Sequence, residues 1–170
     1  IVQILISVLV FWSEPAATET GALVFPDVSA DDIVTLRMTN DTGSEIVLEK
    51  AGDTWVLPEA GDYPAQESAV TQVLEKVVAL ETGSLVTRSD TSHKQLQVAE
   101  DEFVRRVLFE TADGESHTLY VGSAPRYTAT HFRVAGEADT YLTTELSSWE
   151  LNVQPNQWID TAYTEIDTET

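Results

Sequence analysis

The chain has 170 residues, which suits one ordinary domain or two small modules, and its 42% hydrophobic content is enough to build a core. Aspartate and glutamate number 29 against 9 lysines and arginines, and the resulting net charge of -20 repels nucleic acid and anionic lipid headgroups. There is no cysteine, which excludes disulfides, thiolate metal sites and cysteine nucleophiles.

Residues Ile1 to Trp12 carry no charge, and only Gln3 and Ser7 among them are polar. A helix of that length rises about 18 Å, whereas a bilayer core needs about 30 Å, so the run reads as part of a membrane helix that begins further upstream. Gln3 and Ser7 stand one helical turn apart and share a face, where they would meet a neighbouring membrane helix. Trp12 falls where an interfacial ring belongs. The competing reading folds this run into the body as a buried helix or strand. No lysine or arginine occurs from Ile1 to Leu36, while Glu14, Glu19, Asp27, Asp31 and Asp32 follow the apolar run. Cytoplasmic flanks attract positive charge, so the expected placement is a single pass of the inner (cytoplasmic) membrane with the body in the periplasm. Residues 13–22 read as a polar tether. Strong acidity with only Lys50, Lys76 and Lys94 as lysines suits either a salt-rich habitat or an acidic extracytoplasmic domain.

A first unit is expected over residues 23–86. Ile33 to Thr39 alternates apolar and polar, Asn40-Asp41-Thr42-Gly43 supplies a turn, Glu45 to Lys50 returns, and Thr54 to Leu57 forms a third strand with Trp55 in the core. Pro64 opens a helix whose stripe is Val70, Val73, Leu74, Val77 and Val78, and Gly83 is placed to end it. A second unit is expected over residues 87–154, after a polar connector from Thr87 to Gln95. Its strands are Phe103 to Thr111, His117 to Val121, Thr130 to Ala135 and Thr140 to Thr143, with a short helix over Glu145 to Leu151. The two units follow a similar order of elements. The predicted fold is therefore α+β: an N-terminal transmembrane helix and then two tandem repeats, each an antiparallel sheet with a helix. Residues 155–170 form an extension that resembles the opening of a third repeat, through Trp158-Ile159-Asp160 and Ile166.

The carboxylates are scattered, and the runs Asp31-Asp32 and Glu100-Asp101-Glu102 lack the alternate spacing and fixed glycine of a calcium loop. His93, His117 and His131 have no metal-site spacing, although His117 and His131 would meet if their strands were adjacent. Gly122-Ser123-Ala124-Pro125 lacks the second glycine of a nucleophile elbow. These patterns predict no catalytic residue, no metal and no cofactor. Six of the nine basic residues lie between Arg88 and Arg133, and none follows. Arg105 and Arg106 are adjacent on a strand, so one is expected to face the fold's interior and the other a partner. Internal ion pairs are one use for these cations. A docking site built from Arg126, Tyr127, His131 and Arg133 is the other, since arginine and tyrosine anchor interfaces well.

The segments Val98 to Arg106, Leu119 to Arg126, His131-Phe132-Arg133 and Thr140-Tyr141 resemble a bacterial family known as domain of unknown function 4340, and the resemblance spans nearly the whole chain. The family's loop commonly has glycine before its arginine, where this chain has Pro125-Arg126. The resemblance implies a single-pass inner-membrane protein with a periplasmic body of repeats, often encoded beside ABC transporters of the gliding-motility auxiliary type, and no known catalysis. The expected function is that of a non-catalytic accessory subunit docking on an integral membrane protein complex, without nucleic acid or a small-molecule substrate. The alternative is a periplasmic module that binds a ligand or glycan in an apolar pocket lined by Trp55, Tyr120 or Trp149. A hydrolase would require a base, His117 or His131, beside a nucleophile such as Ser123.

Overall fold

A computed structural model describes residues 21–161. The predicted membrane contacts Gln3, Ser7 and Trp12, the apolar run that holds them and the last nine residues lie outside the described residues. Among the described residues no helix is long and apolar enough to cross a membrane.

The elements in chain order are β1 (Ile33–Asn40), β2 (Glu45–Ala51), β3 (Thr54–Leu57), β4 (Tyr63–Pro64), α1 (Glu67–Val78), β5 (Leu85–Thr87), α2 (His93–Leu96), β6 (Arg105–Thr111), β7 (Ser116–Val121), β8 (Thr130–Val134) and β9 (Thr140–Thr143). All described strands join one sheet in the order β4-β3-β2-β1-β6-β7-β8-β9-β5, and every pairing is antiparallel. The α+β class is as expected. The two predicted units do not build separate sheets, because β1 pairs with β6 from Asn40 opposite Arg105 to Ile33 opposite Thr111. That pairing buries Leu36, Met38, Val107 and Phe109 on one face. Apolar side chains of both units therefore share one core.

Strand alternation sorts the sheet into two faces. On the first, Leu36, Met38, Ile46, Leu48, Trp55, Phe109, Leu119 and Phe132 are buried beneath α1, Phe25 and the C-terminal segment. The helix stripe is as the periodicity predicts: Val70, Val73, Leu74 and Val77 are buried, and Val78 is half-buried against the core. Burial of each such side chain stabilises the fold by about 1.5–3 kcal/mol. Glu67 in the first turn and Lys76 in the last suit the helix dipole.

The helix starts three residues after Pro64, which instead forms the short edge strand β4 with Tyr63. It stops at Val78, so that Leu80 enters the core and Glu81 pairs with Leu23; Gly83 does not end it. Gly83 lies against Gly21, where an added Cβ would come within 2.4 Å of the Gly83 nitrogen. Gly21 and Ala22, predicted as tether, are thus part of the fold, and the Ala22 carbonyl accepts the Thr82 N–H at 2.9 Å. Glu145 to Leu151 is not helical: it is a run of turns that drops Leu146 and Leu151 into the core. The predicted connector after Thr87 also holds more structure than its polarity suggests. It includes α2 and crosses the second face of the sheet.

Candidate functional site

The second face carries a polar row that runs across five strands. Glu45 is in register with Thr39, Thr39 with Arg106, Arg106 with Tyr120, and Tyr120 with Arg133. Glu45 is the hub at one end. Its Oε1 accepts from Arg37 NH1 at 2.6 Å, and its Oε2 accepts from the Thr39 hydroxyl at 3.0 Å. Arg106 NH2 donates to Thr39 Oγ1 at 3.2 Å and lies 3.9 Å from Glu45 Oε2. Arg105, one residue away, points to the other face and donates from Nε to the Leu151 carbonyl at 2.8 Å. The two arginines take opposite faces, as adjacent strand residues must, but the expected division does not follow: Arg105 faces inward onto backbone carbonyls rather than acids, and Arg106 is engaged by Thr39 and Glu45 within the chain.

At the other end of the row, Arg133 is 4% exposed. Its guanidinium sits 4.8 Å from the Tyr120 ring centroid and donates to the carbonyls of Val98, Val134 and Glu137. Phe103 packs on Tyr120 with ring centroids 5.7 Å apart. The segment from α2 to Phe103 therefore closes over β7 and β8. Burial pushes the Tyr120 phenol above its ordinary pKa and the Glu100 carboxylate adds to this, against opposing effects of Arg133 and Arg106. At the rim, Lys94 and Asp101 pair at 2.5 Å, which raises the lysine's pKa and lowers the aspartate's.

This cover divides the predicted docking group. Arg126 and Tyr127 project from the loop between β7 and β8, with Tyr127 94% exposed. His131 and Arg133 are buried under the α2 segment and cannot face a partner beside them. The sequence pattern does not reveal that cover, because residues 87–104 have no apolar periodicity. The loop itself is pinned at its base. Ser123 N–H and Oγ both donate to the Leu96 carbonyl, at 2.9 and 3.1 Å. His131 Nδ1 lies 2.8 Å from the Ser123 carbonyl and 3.2 Å from its hydroxyl. A carbonyl can only accept, so Nδ1 carries the proton and does not serve Ser123 as a base. The serine and histidine hold backbone to backbone. Gly122 belongs to the same junction: a Cβ there would lie 2.2 Å from the Leu96 carbonyl oxygen.

His117 does not approach His131, because alternation puts it on the first face, between Phe25 and Phe109. His93 Nε2 contacts the Ala138 carbonyl at 2.8 Å. Among the described residues no three histidine or acidic side chains are placed to hold a metal ion. The larger clefts do not match the predicted ligand pocket. One of 430 Å³ lies between the end of α1 and the end of β9, bordered by Ala79, Glu81, Gly83 and Glu145, and another of 590 Å³ runs along the start of α1. Trp55, Tyr120 and Trp149 line neither. Trp55 is in the core, Tyr120 lies beneath Phe103 and Arg133, and Trp149 stands 69% exposed. The sequence reading did not single out Glu45, Arg37 or the cross-strand row. Only register reveals it, although the Arg37 and Arg106 positions on alternating strands were available as a clue.

No curated protein and no solved structure matches the chain. A family model does, over residues 55–170, from β3 through the polar row's distal half to the C-terminal segment; the match leaves out β1 and β2, so it is shorter than the resemblance read from the sequence. The chain belongs to the family described as Domain of unknown function (DUF4340).

Proposed function

We propose that the protein is a non-catalytic accessory subunit, anchored in the inner membrane by the segment ending near Trp12, whose periplasmic body docks on a larger integral membrane complex. The observation that carries this reading is the Arg126–Tyr127 pair. It projects into solvent from a loop fixed at its root by Ser123, Leu96 and His131. A rigid base with a large exposed tyrosine and a neighbouring arginine loses little entropy on binding and presents the residue types that dominate interface energetics. The uncharged run from Ile1 to Trp12, followed by acidic residues, supports the anchor and the orientation. An association with an ABC transporter is the finer form of the same proposal. The family resemblance supports it. The body is read as a duplication. In favour of this, β1-β2-β3 and β6-β7-β8 spread in chain order from either side of the central β1–β6 pair. Neither of the two clefts described above, among the described residues, favours the ligand-binding alternative.

The test is a photo-crosslinking amino acid placed at position 127 of the full chain in its native membranes. Adducts with an integral membrane protein are expected from position 127. None is expected from position 113, in the β6–β7 turn at the opposite end of the sheet. A chain that stays in the supernatant when membranes are sedimented, or a position 127 as silent as position 113, would refute the reading.

A further inference from the structure

Five large apolar side chains are exposed among the described residues: Leu23, Leu85, Val86, Tyr127 and Trp149. Their positions in the fold are not scattered. Register places Arg105, Val121, Phe132, Tyr141 and Leu85 in one row across β6, β7, β8, β9 and β5. Beyond that row, at the same end of the sheet, lie the loop carrying Tyr127 and the turns from Thr144 to Leu151 that carry Trp149. Ser84 also lies there, its carbonyl bound to the Leu142 N–H at 2.9 Å. Leu23 pairs with Glu81 at this end, and Leu85 and Val86 form the edge strand leading away from it.

Leu23 and Trp149 both border the end of α1. Leu23 reaches it through Glu81 and through the Val24 N–H on the Leu80 carbonyl, at 2.8 Å. Trp149 reaches it through its neighbour Glu150, which pairs with Lys76 in the last turn of α1. The 430 Å³ cleft bordered by Glu81, Gly83 and Glu145 lies between the end of α1 and the end of β9. The chain enters the described fold at this place, with Gly21 packed on Gly83. Eight residues, Ser13 to Thr20, separate Gly21 from Trp12. Fully extended, such a stretch reaches no more than about 30 Å.

We infer that this end of the sheet rests on the bilayer surface, with Trp149 and Leu23 seated among zwitterionic headgroups. The inference rests on the membrane-anchor reading and adds an orientation to it. Tryptophan suits such a position because its apolar ring and its N–H are satisfied at different depths of the interface. The choice of zwitterionic lipid follows from charge: Glu81 and Glu145 flank the site and the chain carries -20, so anionic headgroups are repelled. The same orientation brings the Arg126–Tyr127 loop to membrane level, where an integral membrane partner would meet it.

Tryptophan fluorescence tests this directly. The full chain with Trp12→Phe is reconstituted into phosphatidylcholine vesicles with and without brominated acyl chains, and compared with the Trp12→Phe/Trp149→Phe double variant. Trp55 and Trp158 are buried in the core, so the difference between the two proteins reports Trp149. The Trp149 component should shift to the blue and fall by about half or more with brominated lipid, as an interfacial ring does. It should be quenched less in vesicles rich in phosphatidylserine. If the protein floats with the vesicles while Trp149 stays as open to acrylamide as it is in detergent, the orientation is wrong and the anchor reading survives. If the protein does not float, the anchor reading fails and takes the orientation with it. Stronger quenching in phosphatidylserine overturns the assignment of zwitterionic lipid.

Discussion

Tyr120 shows what the α2 segment does to individual side chains. Its ring is held between Phe103 and the Arg133 guanidinium, and it is 6% exposed. Burial and the Glu100 charge raise its pKa, so the folded state holds the phenol proton more tightly than the unfolded chain does. By linkage, this contributes nothing against folding at neutral pH. Stability is then lost as pH rises above the unfolded value of about 10 and through the raised folded one. Tyr120→Phe keeps the ring stack and removes the ionisable group. Denaturant titrations from pH 8 to alkaline values should therefore give a flatter decline for the variant than for the native protein. Identical slopes would mean that Tyr120 is not the group whose ionisation opens this face. At this scale the sequence was a good guide to a side chain such as Trp55, whose place follows from alternation alone, whereas for Arg105 and Arg106 alternation gave opposite faces without saying which points inward. It misplaced His131 and Arg133, because their burial depends on a distant segment folding over them, and local spacing carries no record of that.

Among the elements, α2 is the least legible in sequence and the one on which the candidate site most depends. It spans only four residues, His93–Leu96, and is followed by Gln97 in a left-handed conformation with φ of 57°. Neither feature leaves an apolar period to read. What fixes α2 is its contact with the start of the β7–β8 loop, where Gly122 lets the Leu96 carbonyl approach closely. Gly122→Ala forces that oxygen, and the Gln97 oxygen within 2.7 Å of the new Cβ, to move away. Overpacking of this kind costs about 1–3 kcal/mol. Urea unfolding should show the midpoint falling by the corresponding amount, and amide exchange should accelerate first at Ser123 and Val98, whose N–H groups bond within this junction. A variant with unchanged stability and unchanged exchange would show that the junction is looser than its geometry indicates. By contrast α1 was legible almost throughout, because a twelve-residue helix repeats its apolar stripe often enough to be read. Its start was displaced only because Pro64, a common helix opener, is also tolerated on an edge strand.

For the molecule as a whole, charge and topology act together. Most hairpins were legible as local alternation between turn residues, but the β1–β6 pairing that fuses the halves links positions about seventy residues apart, and alternation does not say which strand lies beside which. The chain as a whole carries a net charge of -20, while the described ion pairs that offset it are few and mostly part-exposed. Exposed pairs contribute little each, so the balance at low salt is net repulsion, which favours the expanded unfolded chain. Screening should relieve it. The Debye length falls from about 30 Å at 0.01 M salt to about 10 Å at 0.1 M, a range that spans the distances between most surface carboxylates. Thermal unfolding of the full chain in a non-ionic detergent should therefore shift upward with sodium chloride, by about 2–4 °C for each kcal/mol of repulsion removed. Most of the rise should come below about 0.2 M, where screening changes fastest. A transition that stays flat to that concentration and climbs only at molar salt would point to strengthened apolar burial instead, which salts also produce by exclusion from the protein surface. In that case the acidic surface would not limit stability, and a salt-rich habitat would lose its physical motive.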